Sequence, residues 1–95
     1  MKKELRETWK EVETHLLEAR RLFDTPVTGV DGFSEERFND YLSRNELGLA
    51  LEELEGISLF NETPREFWQL LLKSANKMCL AKKSKEYMET LRHYQ

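Results

Sequence analysis

Thr63-Pro64-Arg65-Glu66-Phe67-Trp68-Gln69-Leu70-Leu71-Leu72-Lys73-Ser74-Ala75-Asn76-Lys77-Met78-Cys79 opens with a Thr cap, a Pro at the first helical position and a Glu at the third, the pattern of a capping box. A helix is expected to start here. Along it Phe67, Trp68, Leu70, Leu71, Leu72, Ala75, Met78 and Cys79 span well over half the circumference, leaving Gln69, Lys73, Asn76 and Lys77 as a thin polar strip. An apolar face that wide must be covered from several sides. The helix, about 64–79, is therefore expected to be the central one of the fold.

The flanking sequence supplies its neighbours. Leu5, Trp9, Val12, Leu16, Ala19 and Phe23 follow one another at spacings of 4 and 3, a narrow apolar stripe that predicts a first helix over about Lys2 to Phe23. Asp24-Thr25-Pro26 stops it, and Gly29 and Gly32 place a loop after it. Ser34 can cap a second helix, with Phe33 packing on Phe38 as a hydrophobic staple, and Tyr41 and Leu42 also face inward. Asn45 reads as a new cap for a third helix carrying Leu47, Ala50, Leu51 and Leu54, which Gly56 would close in the left-handed conformation. The ranges are about 35–44 and 46–55, with one helix kinked through Asn45 as the alternative. Lys82-Lys83-Ser84 reads as the break after the central helix, and a last helix presents Tyr87, Met88, Leu91 and Tyr94. The fold class expected is all-α, a single compact bundle of about five short helices forming one domain over residues 1–95.

Composition agrees. Hydrophobic residues make up 39% and charged residues 35% of 95 residues, with only 4 Gly and 2 Pro, a balance that suits short amphipathic helices and argues against disorder or a many-stranded β protein. No apolar run approaches the length of a membrane span. The one cysteine allows no internal disulfide and fits a reducing compartment, so a cytoplasmic location is expected.

The net charge of −3 hides a segregation. Residues 1–25 are neutral, residues 26–66 carry ten carboxylates against three arginines, and residues 67–95 are basic, with a net +4. Charge arranged in blocks bears on partners rather than on fold.

Catalytic and cofactor chemistry finds little to work with. His15 and His93 stand on the first and last helices without His-x₃-His or Cys-x₂-Cys spacing, so no metal site is expected. Cys79 falls on the apolar side of the central helix and reads as a small core residue rather than a nucleophile. Glu52 and Glu53 are adjacent, diverge by about 100° on a helix and cannot share a proton. The glycines form no phosphate-cradling loop, and Trp9 and Trp68 read as core. No cofactor, no small-molecule substrate and no membrane partner is expected. Lys77, Lys82, Lys83, Lys85 and Arg92 could touch phosphates, yet the acidic middle would repel a duplex, so nucleic acid is the less favoured partner. The commoner role of such lysines is to complement a helix C-terminus.

The acidic middle is the remaining feature. Opposite the apolar faces of the second and third helices stand Glu36, Asp40, Ser43, Leu49, Glu52 and Glu53, and with Asp31, Glu35 and Glu46 they form an acidic rim around an apolar contact point at Leu49. These nine residues are the candidate partner-binding set, against the plainer reading of a solvated face.

Over Phe38-Asn39-Asp40-Tyr41-Leu42-Ser43-Arg44-Asn45-Glu46-Leu47-Gly48-Leu49-Ala50-Leu51-Glu52-Glu53-Leu54 the chain resembles the small helical immunity proteins of bacterial polymorphic toxin systems, among them the contact-dependent growth inhibition and MafI-like groups. The matching features are an aromatic helix, the Asn45-Glu46 step, Ala50-Leu51-Glu52 and a closing Leu54, with Phe67-Trp68 to Met78 resembling the later helix; together they cover roughly residues 33–80. The resemblance implies a non-enzymatic protein that neutralises one cognate toxin domain, often a nuclease and here most readily a ribonuclease, inside the producing cell. Physical chemistry agrees, because a nuclease presents a cationic groove to phosphates and carboxylates can occupy it. The competing reading is a small helical adaptor or regulator that self-associates or binds nucleic acid through its basic C-terminal helix.

Overall fold

A computed structural model describes residues 2–23, 33–59 and 62–94, with side chains from residue 6 onward. Five α-helices follow in order, α1 (Lys2–Arg21), α2 (Glu35–Ser43), α3 (Leu47–Glu55), α4 (Arg65–Lys77) and α5 (Ala81–Arg92), with a 3₁₀ turn at Gly56–Leu59 between α3 and α4. The architecture is the expected all-α globule. Helix α4 packs against both α1 and α5, α2 packs on α3, and α3 also meets α1. The central role of α4 rests on Phe67, Leu71 and Ala75, all fully buried, which close the core against Val12, Leu16 and Ala19 of α1 and Ala50, Leu51 and Leu54 of α3. Ser74 is buried among them, its hydroxyl satisfied by donation to the Leu70 carbonyl at 3.0 Å.

Helices α2 and α3 are separate and fold back on each other. Ser34 caps α2 by accepting from the Arg37 amide at 3.2 Å, and the staple forms, with the Phe33 and Phe38 rings 5.9 Å apart. Asn45 has another part than the expected cap. It holds φ +60 just past α2, its amide donating to the Leu42 carbonyl while the Glu46 amide reaches Tyr41, the paired bonds of a Schellman motif. Glu46 takes the cap position of α3. Gly56 in turn stays right-handed, φ −62, because the chain continues into the 3₁₀ turn rather than reversing.

The ends of α4 also differ from expectation. Pro64, with φ −72 and ψ 160, is the cap residue, and no side chain caps the helix. The Thr63 hydroxyl is drawn elsewhere, into a cluster where Trp68 Nε1 donates to it at 2.9 Å and to the Tyr94 hydroxyl at 3.0 Å, while Tyr94 donates to the Thr63 carbonyl at 2.8 Å. A nearly buried indole N–H needs an acceptor more than a solvated helix end does. At the other end α4 stops at Lys77 in a second Schellman motif, Cys79 amide to Asn76 and Leu80 amide to Ala75, so the break is at 78–80 and Lys82, Lys83 and Ser84 belong to α5.

Three residues expected to face inward lie outside the core. Cys79 is exposed, not packed, and holds φ +59. Trp9 is 41% exposed and Met88 55% exposed, each lying outside the core. Because a side chain in the left-handed region is strained and glycine is not, Cys79→Gly is expected to stabilise the fold by about 0.5–1 kcal/mol. Thermal unfolding of the two proteins side by side checks this; a lower melting temperature for the glycine variant would contradict it.

Candidate partner-binding surface

Of the ten carboxylates between residues 26 and 66, several serve the fold. Glu53 was expected on the outer face, yet its side chain is only 10% exposed: Arg37 grips it through Nε and Nη2 at 3.1 and 3.0 Å, and the Ser34 backbone amide donates to Oε2 at 2.7 Å. It thus ties the end of α3 to the start of α2, where a carboxylate also complements the helix N-terminus. The hydrogen bond from Arg37 and then the charge of Glu53 raise the arginine further above its ordinary pKa. Glu35 pairs with Arg20 of α1, Nε to Oε1 at 2.6 Å. Both carboxylates cross-link helices, so neither is a free rim charge.

Asp40 is exposed and lies 3.2 Å from Arg44 one turn on, a surface pair of small worth. Ser43 turns its hydroxyl to the Asp40 carbonyl at 2.8 Å. Glu36 is exposed and Glu46 half-buried, and among the described residues neither has an ion-pair partner. Glu52 is exposed, 3.8 Å from Lys83, and Leu49 on the same helix is 44% exposed. Asp31 lies outside the described residues. The candidate set therefore contracts to Glu36, Asp40, Ser43, Glu46, Leu49 and Glu52, still on α2 and α3 but with a smaller free charge than the sequence count implies.

One cluster escaped the sequence reading. Glu55, at the end of α3, accepts from Lys83 Nζ at 2.7 Å and, in a very short bond, from the Tyr87 hydroxyl. Assigning Lys83 to a break hid it; on a continuous helix Lys83 and Tyr87 are four residues apart and share a face. Burial, then the hydrogen bond to Glu55 and its charge, push the Tyr87 phenol far above its ordinary 10.0. For Lys83, burial works downward but is outweighed by the hydrogen bond and charge of Glu55, so its pKa lies above the ordinary 10.5. Both groups hold their protons more tightly folded than unfolded. Their stabilisation is complete below about pH 10 and is lost as pH rises beyond it. Alkaline unfolding should accordingly steepen above about pH 10 and flatten in Tyr87→Phe, as followed by circular dichroism against pH; identical slopes would refute the linkage.

Among the described residues no group of three His, Cys, Asp or Glu side chains is placed to hold a metal ion, and no helix is long and apolar enough to cross a membrane. His15 lies on α1 and His93 just past α5, where it approaches Glu89 at 3.9 Å. No protein-family model, curated protein or solved structure matches the chain.

Proposed function

We propose that the chain is an immunity protein that binds one cognate toxin domain, a basic nuclease and most readily a ribonuclease, and neutralises it in the cytoplasm of the producing cell without catalysis of its own. The observation that carries this reading is the outer α2–α3 surface, where Glu46 and Glu52 stand one turn to either side of the exposed Leu49, Glu36 is exposed on α2, and among the described residues Glu36 and Glu46 have no ion-pair partner while Glu52 lies 3.8 Å from Lys83. Carboxylates around an apolar contact suit a protein partner with a cationic groove, speeding encounter while the leucine supplies desolvated contact. A standard interface needs about 800 Å² per partner, roughly an eighth of the 6665 Å² surface. The resemblance over residues 33–80 supports the same class.

The test uses the gene neighbourhood. If the adjoining gene encodes a large secreted protein, its C-terminal domain expressed alone should arrest growth, and co-expression of this chain should restore it. Glu36→Lys, Glu46→Lys and Glu52→Lys combined should abolish rescue while leaving the helical circular dichroism intact, since exposed charges contribute little to stability. Rescue that survives this reversal but disappears on replacing Lys82 and Lys85 would assign the work to the basic helix α5 instead.

A further inference from the structure

The most exposed large apolar side chain in the described structure is Leu59, at 67%, and it stands at the lip of a groove of about 450 Å³ between the 3₁₀ turn and α5. That volume falls within the range of about 300–1,000 Å³ found for ligand pockets. Three carboxylates line it, Glu52 and Glu55 from α3 and Glu86 from α5, and behind them lie the Trp68 and Tyr87 rings, 5.8 Å apart and both buried. The rings are fixed: Trp68 by its bonds to Thr63 and Tyr94, Tyr87 by its bond to Glu55.

The charge count decides what fits. Among the described residues Lys83 is the one cation paired at this cluster, seated on Glu55 at 2.7 Å and 3.8 Å from Glu52, and Glu86 has no ion-pair partner. Three carboxylates facing one ammonium leave two negative charges beside an apolar lip. An anion or a purely apolar group would be repelled or would strand the carboxylates. A guanidinium on an aliphatic stem satisfies both features, its planar fork pairing with carboxylate and its methylenes covering Leu59.

We propose that the groove between the 3₁₀ turn and α5 receives an arginine side chain of a protein partner, with its head at Glu52 and Glu86 and its stem against Leu59. This gives the acidic surface a defined anchor point at the far end of α3, and it rests on the inhibitor reading for the identity of that partner as a cationic protein.

The groove can be tested without the partner. The full chain, labelled for amide NMR, is titrated with a hexa-arginine peptide at about 150 mM salt, where long-range attraction is largely screened. Saturable shifts are expected at the Trp68 indole and at the amides of Leu59, Glu86 and Tyr87. Glu52→Gln with Glu86→Gln should weaken binding by about tenfold or more, the loss of charge-assisted pairs, while Glu18→Gln, exposed on α1 away from both surfaces, changes it little. Unchanged thermal unfolding of each variant confirms the fold. Shifts spread equally over Glu36 and Asp40, or an affinity indifferent to the double substitution, would overturn the proposal. The growth assay separates the two claims: peptide bound at the groove with no rescue of growth sinks the inhibitor reading and leaves the groove, whereas rescue without peptide binding does the reverse.

Discussion

Phe67→Ala should remove about 3–5 kcal/mol of stability, the cost of deleting a fully buried aromatic side chain. Phe67 begins the central helix and meets two rings edge-on, Phe23 at 5.6 Å and Trp68 at 5.2 Å between centroids. Its loss therefore opens a cavity between α1 and α4 and also undoes two aromatic pairs, each worth about 0.5–1.5 kcal/mol beyond burial. A domain of this length has only about 5–14 kcal/mol in all. The variant should therefore melt roughly 15–30 °C lower. Phe67→Leu keeps most of the volume and should lose far less. Denaturant titration of the three proteins measures the ordering; an alanine variant within about 1 kcal/mol of the parent would show that the core is not centred on α4.

Helix number, order and the central position of α4 were legible because period and capping are local properties. Val12, Leu16 and Ala19, or Leu47, Ala50, Leu51 and Leu54, repeat at helical spacing, and burial follows the pattern. What the pattern misreads is where a stripe runs off the edge of its partner. Trp9 continues the stripe of α1 but is 41% exposed, and Cys79 continues that of α4 past its last turn. The two left-handed residues, Asn45 and Cys79, show the same limit from another side. Asparagine is at home in either a cap before a helix or a left-handed position after one, and cysteine advertises neither.

The acidic surface was legible in composition and only partly in place. Ten carboxylates in 41 residues announce an electrostatic feature, but which of them remain free depends on contacts between residues far apart in sequence. Glu53 meets Arg37 and Ser34, Glu35 meets Arg20, and Glu55 meets Lys83 and Tyr87, pairings 15 to 32 residues apart that no spacing rule reports. Helical geometry placed Glu52 and Leu49 outward correctly and placed Glu53 outward wrongly, because a residue at the margin of the apolar face can turn toward a neighbouring helix when a cation waits there.

Glu55→Ala should cost about 1–3 kcal/mol, chiefly by stranding the Tyr87 hydroxyl. The tyrosine is only 2% exposed, and among the described residues Glu55 is its acceptor. Lys83 suffers less, since its side chain is 25% exposed and Glu52 lies within 3.8 Å to take it up. The order expected is therefore Glu55→Ala worse than Lys83→Met, with Glu55→Gln between them because an amide oxygen still accepts from the phenol but carries no charge for the ammonium. In a double-mutant cycle the Glu55 and Tyr87 substitutions, Ala and Phe, should couple more strongly than Glu55→Ala with Lys83→Met, for among the described residues the phenol has no second acceptor and the ammonium has one. Equal coupling of the two pairs would mean that Lys83 is held as rigidly as Tyr87. A neutral Glu55→Ala would mean that α5 is fastened by apolar packing alone, through Tyr87, Leu91 and Tyr94 against α4, with its polar contacts free to be spent on a partner.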